Sequence, residues 1–173
     1  MEPWKQLTEQ SVYDGYRKIV RRKYALPQHV EADFDIIVSP RAVCILALTE
    51  DRKVILVKQF RPGPGHILLE LPGGGVDEGE NPGDAAAREL LEETGYQGTL
   101  TFISTNWHDA YNTLRRYNFV ATDCKKVQEP KQDPTEPIEV QLMELQAFRK
   151  HLQNGELTDT ATGYLGLEFL KLL

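Results

Sequence analysis

A chain of 173 residues, 40% hydrophobic and 27% charged, has the size and composition of one globular domain with a sizeable core. Its net charge of −6 excludes the broad attraction by which proteins gather nucleic acid or anionic membranes. It also sets a problem for any anionic substrate, whose charge must be offset locally by metal ions or a few placed arginines. No segment approaches the ~20 apolar residues of a membrane span, and residues 1–10 lack the apolar stretch of a signal peptide. Two cysteines make no disulfide framework, so the expectation is a reduced, cytoplasmic protein. Cys44 falls in an apolar run and reads as core, whereas Cys124 sits beside Lys125 and Lys126, a setting that lowers a thiol pKa.

The first forty residues hold short stretches of strand character with few apolar side chains, predicting a small sheet that packs on something else. Residues 34–38 read as a strand ended by Pro40, and the apolar runs 41–49 and 53–60 as buried strands joined by a tight Glu50-Asp51-Arg52 turn. The prolines and glycines of 61–66 (RPGPGH) predict a rigid loop, followed by a short strand over 67–71 and a flexible turn at 72–75 (PGGG). A helix follows, with Asn81 as its cap, Pro82 in its first position and Gly95 at its end. Strands are expected at 96–104, 115–122 and 138–142, and a loop at 125–137, which holds three prolines. Helices are expected at 143–152, stopped by Asn154-Gly155, and at 158–173, read as amphipathic. Strands interspersed with helices indicate an α/β layered fold with a mixed sheet.

The informative segment is 74–96, GGVDEGENPGDAAARELLEETGY. Glu89, Glu92 and Glu93 stand at i, i+3 and i+4, so three mutually repelling carboxylates crowd one helical face. A hard, oxygen-seeking cation such as Mg²⁺ relieves that repulsion and bridges to phosphate oxygens. The glycines before the helix allow the backbone to turn tightly and offer carbonyls to the same ions, and the small Ala85 to Ala87 permit close packing on a sheet. A Glu-rich helix is ordinarily just a solvated face. Here seven defined residues at roughly 6% usage each recur by chance on the order of 10⁻⁹ per window, so the spacing needs another cause.

The segment matches the Nudix box, G-x5-E-x7-R-E-U-x-E-E-x-G-U with U apolar or aromatic, at every defined position. The chain thus resembles the Nudix hydrolases. That resemblance implies a Nudix fold, an α/β/α sandwich around a mixed β-sheet, here with a small N-terminal antiparallel strand region. It implies Mg²⁺-dependent (Mn²⁺ substituting) hydrolysis of a nucleoside diphosphate linked to another group. By carry-over Glu89, Glu92 and Glu93 hold the metals, with Glu92 and Glu93 also counted as catalytic, while Gly74, Glu80, Arg88 and Gly95 are structural, Arg88 pairing with a carboxylate. Metals in an acidic pocket resolve the charge problem, since they bind the substrate in turn.

The flanks VILVKQFRP (54–62) and LLELPGG (68–74) resemble the ADP-ribose and nucleotide-sugar pyrophosphatases. In that branch Arg61 contacts the diphosphate, the carbonyl of Gly73 helps bind metal, and Glu70 lies near the site. Two plainer readings stand beside these: Arg61 as a surface arginine, and Glu70 as a partner of Arg88 or of a backbone group. A glutamate on a late loop, within DPTEPIEV (133–140), positions or activates the water. Glu136 is the candidate, Glu139 the competitor, and a mobile base suits a Pro-rich loop. The branch also implies a homodimer in which residues 1–40 complete the base pocket, leaving 41–173 as the catalytic domain. Phe34 and Asp35 fall where an aromatic–acid pair meets the base, with Phe34 as interface core the alternative.

One departure is the loop NWHDAYNTLRR (106–116), which has Ala110 where the branch usually carries a proline. His108, Asp109 and Tyr111 give it its own chemistry, with Asp109 a substrate-contact candidate. Strict ADP-ribose specificity is therefore in doubt and GDP-mannose a realistic substrate. The competing expectations are another Nudix substrate (dinucleoside polyphosphate, NADH, coenzyme A or capped RNA) and a non-catalytic nucleotide-sugar sensor. No nucleic-acid or membrane partner is expected.

Overall fold

The computed structural model describes residues 1–131 and 136–173. The chain divides into two compact units, one formed by Met1–Arg41 with Trp107–Arg115 and the other by Ala42–Asn106 with Arg116–Leu173. A cut of the linear chain at residue 40 does not capture the first unit, because a segment from the middle of the chain belongs to it.

In the first unit, β1 (Lys5–Asp14), β2 (Lys18–Ala25) and β3 (Glu31–Val38) form an antiparallel sheet in that order. Its strands are longer than the short stretches the sequence indicates. Every residue of β1 is exposed in the single chain, so no burial period marks it. The 107–115 segment is fastened to β3. Ile37 N–H donates to Tyr111 O at 2.9 Å, Thr113 N–H donates to Ile37 O at 2.9 Å, and Ser39 N–H donates to the Thr113 hydroxyl at 2.8 Å.

In the second unit, β4 (Ala42–Thr49), β5 (Val54–Arg61), β6 (His66–Glu70), β7 (Tyr96–Trp107) and β8 (Arg115–Lys126) run in the order β6-β5-β4-β8-β7, with β9 (Glu139–Met143) paired to β5. Both β7 and β8 reach into the 107–115 segment at one end. The sheet is mixed, since β4 is parallel to β8 and antiparallel to β5. Successive side chains of a strand point to opposite faces, and β4 is apolar on both. Val43, Ile45 and Ala47 pack with Ala85, Ala86 and Leu90 of α1 (Pro82–Thr94). Cys44, Leu46 and Leu48 pack with Phe148 and Leu152 of α2 (Leu145–Asn154) and Leu167 of α3 (Thr160–Phe169). Helices thus cover both faces, as an α/β/α sandwich requires.

Helix α1 starts and stops where its local signals place it. The Asn81 side chain accepts from Gly83 N–H at 2.8 Å, Pro82 occupies the first turn, and Gly95 closes the helix at φ 76°. Four expectations change. β8 runs to Lys126, so the polar loop starts later than residue 125. β7 runs on to Trp107. The C-terminal helix begins at Thr160 and is not amphipathic in the simple sense, because Tyr164, Leu165 and Phe169 are exposed while Thr162 is buried. Cys124 is buried, and burial pushes its thiol up to about 11, while Lys125 and Lys126 pair with Glu50 and Glu129.

Candidate active site

The box helix carries its acids on the face that meets the glycine turn. Arg88 sits at the centre of this cluster. Its Nε and Nη2 donate to the two oxygens of Glu80 at 3.0 Å each, Nη1 donates to Glu89 at 2.8 Å and to Glu92 at 3.4 Å, and Nη2 also donates to Gly75 O at 2.9 Å. The pairing expected for Arg88 therefore extends to three carboxylates and a carbonyl. The Arg88 guanidinium, helped by Asp77 N–H, lowers the Glu80 carboxyl below its ordinary value. It serves as a strut between the turn and the helix.

Glu93 is turned the other way and accepts from Gly73 N–H at 2.9 Å. Burial pushes its carboxyl up to about 8, against that hydrogen bond and the attraction of Arg61, with Glu89 and Glu136 adding repulsion. Burial raises Glu89 as well, outweighing Arg88. Among the described residues no three carboxylates converge as they stand to chelate an ion, since Glu89 and Glu92 face Arg88 and Glu93 faces Gly73. The chemistry of the donor set nonetheless fits one: adjacent, poorly solvated carboxylates that repel each other gain from a hard divalent cation. Glu89, Glu92, Glu93 and the Gly73 carbonyl are the residues that would hold it.

Gly73 and Gly74 are required by close approach. A Cβ on Gly73 would lie 2.3 Å from Val43 O, and one on Gly74 would lie 2.5 Å from the Glu89 carboxylate. The turn passes so near β4 that a side chain at 73 would meet backbone, and so near the helix that one at 74 would displace the Glu89 carboxylate.

Arg61, at the end of β5, uses Nε to bind Glu70 of β6. Of the plainer partners open to Glu70, the backbone group is met by Thr158 N–H at 3.1 Å, and the guanidinium it binds is Arg61 in place of Arg88. Glu70 is 0% exposed, and its other contacts are Gln59 Nε2 at 3.3 Å, Thr158 N–H at 3.1 Å and the Thr158 hydroxyl. With its oxygens engaged by protein donors, Glu70 is placed to orient Arg61 rather than to meet a ligand. The Arg61 side chain is 36% exposed, so part of it meets solvent while Nε is held by Glu70.

The loop after β8 springs from the end of α1. Val127 N–H donates to Gly95 O at 2.9 Å and Lys131 N–H to Glu92 O at 2.8 Å. Asp133, at the start of the expected catalytic loop, lies outside the described residues. Glu136 is exposed and near enough to Glu93 to raise its pKa. Glu139, on β9, forms a 3.1 Å ion pair with Lys58.

The remaining candidates belong to the first unit. The Phe34 ring stacks on Tyr111 at 6.4 Å and 20°, with Trp4 5.8 Å and Tyr24 5.9 Å away, so it is one member of an aromatic group. Asp35 is exposed and paired with Arg21 at 2.8 Å. Asp109 accepts from Tyr111 N–H at 2.6 Å, shaping its own loop.

Sequence reasoning missed a buried polar set in the second unit. Arg116 pairs with Asp159 at 3.1 Å, and Asn118, 0% exposed, donates to Ser104 and Asn106 and accepts from the Thr162 hydroxyl at 2.6 Å. Nothing local in the sequence marks these residues as interior.

Residues 38–161 match the profile described as the NUDIX domain. The chain belongs to the Nudix family. It is 32% identical over 154 residues to the ADP-ribose pyrophosphatase of Bacillus subtilis (strain 168), covering 85% of this chain and 80% of that protein. It is 62% identical over 51 residues to the ADP-sugar pyrophosphatase of Mus musculus, a stretch covering 30% of this chain and 23% of that protein. A solved structure described as an ADP compounds hydrolase superposes with a TM-score of 0.85 at 22% identity, over 99% of this chain and 96% of that one, which establishes the shared Nudix fold.

Proposed function

We propose that this Nudix protein hydrolyses the diphosphate of nucleoside diphosphate sugars, with ADP-ribose the first candidate, giving AMP and ribose 5-phosphate. The observation that supports the reading is Arg61, held through Nε by Glu70 at the end of β5 and within electrostatic reach of the box acid Glu93, a guanidinium suited to a diphosphate near carboxylates suited to a divalent cation. The names of the Bacillus subtilis and mouse relatives support the substrate class.

Mg²⁺, when bound by Glu89, Glu92, Glu93 and the Gly73 carbonyl, supplies charge neutralisation of the diphosphate and activation of water. Around it, Arg61 binds the diphosphate oxygens through its terminal nitrogens while Glu70 holds Nε. Glu136 takes the proton of the attacking water, a role supported over Glu139 because Glu139 is engaged with Lys58. Arg88 and Glu80 keep the glycine turn against the helix. Phe34 and Asp35 contribute to base recognition in a homodimer. GDP-mannose is a second substrate, and Mn²⁺ substitutes for Mg²⁺. The protein acts on small molecules in the cytoplasm; among the described residues no helix is long and apolar enough to cross a membrane.

The test is a panel of ADP-ribose, GDP-mannose, ADP-glucose, diadenosine polyphosphates and NADH, with and without Mg²⁺, with products identified by chromatography. Nucleoside monophosphate plus sugar phosphate from the nucleotide sugars is the expected result. Turnover confined to the dinucleotides would overturn the substrate class, and tight binding with no turnover would point to a sensor.

A further inference from the structure

The α2–α3 connection and the first turn of α3 set three polar side chains on buried partners, Thr158 from an exposed position and Asp159 and Thr162 from buried ones, and the Nudix box accounts for none of them. Thr158 donates its N–H, at 3.1 Å, and its hydroxyl to the same Glu70 oxygen. Asp159 pairs with Arg116, and Thr162 donates to Asn118. A segment that only covered a sheet would do so with apolar side chains, as Leu157 and Leu167 do on either side, because buried polar groups cost free energy unless each is met.

Glu70 can aim Arg61 only if its own carboxylate is fixed. One oxygen takes Arg61 Nε and Gln59 Nε2, and the other takes both donors of Thr158, so the four bonds set the plane of the group. Asp159 also lies within electrostatic range of the pair, repelled by Glu70 and attracted by Arg61. Remove the Thr158 hydroxyl and Glu70 keeps its partners on one side while losing a donor on the other. The carboxylate is then free to tilt, and the Arg61 terminal nitrogens move with it.

We propose that Thr158 is a positioning residue for this enzyme, acting through Glu70 to hold Arg61 in register with the substrate diphosphate. The proposal rests on the reading of Arg61 as a diphosphate contact. It assigns a role in substrate binding to a threonine outside the box, in the connection between two helices.

The test is a double-mutant cycle on the full chain, read by calorimetric binding of magnesium pyrophosphate and by steady-state hydrolysis of ADP-ribose. Thr158→Val keeps the shape and the backbone donor and loses the hydroxyl, and Thr158→Ser restores the hydroxyl. In the parent background Thr158→Val is expected to weaken pyrophosphate binding about tenfold and to raise KM more than it lowers kcat. In an Arg61→Ala background its effect should shrink to under about twofold. Thr158→Ser should bind like the parent.

Equal losses in both backgrounds, or a Thr158→Ser protein as impaired as Thr158→Val, would show a general structural role and overturn the relay. Failure of the parent to hydrolyse ADP-ribose would overturn the substrate reading, leaving the pyrophosphate cycle to decide the relay. A parent with no affinity for pyrophosphate would contradict both Arg61 as an anion contact and the relay built on it.

Discussion

The Glu89 carboxylate stands 2.5 Å from where a Cβ on Gly74 would lie, so the first glycine of the box and an acid fifteen residues later in it define one another's space. Adding a methyl group at Gly74 meets the end of a flexible side chain, which can swing away. Gly74→Ala is therefore expected to lower kcat/KM by about 10–100-fold by displacing a metal-binding acid, with a stability change under about 1 kcal/mol. At Gly73 the added Cβ meets the Val43 backbone oxygen instead, which cannot swing. Gly73→Ala should cost stability outright, about 1–3 kcal/mol. Denaturant melts of both variants beside turnover assays separate the two effects, and equal destabilisation would contradict them.

Arg88 is the only described partner of Glu89 and Glu92 in their cluster with Glu80 apart from Lys131, which reaches Glu92 at 3.9 Å. Replacing it by methionine removes the guanidinium that both Glu80 and Glu89 accept from. Arg88→Met is expected to cost about 2 kcal/mol, below the value for a fully buried pair because the arginine remains partly in contact with water. Added Mg²⁺ should recover part of that loss in a thermal melt, since the ion meets the same carboxylates.

Glu93 presents a further contrast. In chelator it is a poorly solvated carboxylate beside Glu89, and Gln at this position can accept the same Gly73 N–H. Glu93→Gln should match or exceed the parent Tm in chelator. Saturating Mg²⁺ should raise the parent by about 2–4 °C and the variant by under about 1 °C. A parent indifferent to Mg²⁺ would contradict the metal assignment.

The Asn118 side chain joins β8 to β7 by donating to Ser104 and Asn106 and to α3 by accepting from Thr162. Asn118→Leu removes the buried amide from all three partners, of which Thr162 is buried and Ser104 and Asn106 half-buried. The expected loss is about 2–4 kcal/mol, checked by urea denaturation, with Thr162→Val costing less because it breaks one of these hydrogen bonds rather than three.

What was legible in the sequence was local. Asn81, Pro82 and Gly95 bound α1 correctly because capping chemistry acts within one turn, and the apolar runs of β4 and β5 announced strands buried on both faces. The N-terminal sheet was harder, since β1 buries nothing within the chain and offers no period to read. The attachment of the 107–115 segment to β3 was invisible because it depends on pairings such as Ser39 with Thr113, 74 residues apart. Residues 158–162 read as the start of an amphipathic helix, and their polar partners were invisible for the same reason. Glu70, the partner of Thr158, lies 88 residues away, and Asn118, the partner of Thr162, lies 44 away.

The measurement that tests the central claim most directly is the hydrolysis of ADP-ribose with Mg²⁺ by the parent and by Glu93→Gln, with products resolved by chromatography. The parent should release AMP and ribose 5-phosphate in equal amounts, and the variant should be slower by at least about 100-fold while remaining folded. A parent that releases no AMP, or a Glu93→Gln protein that turns over at the parent's rate, would contradict the account.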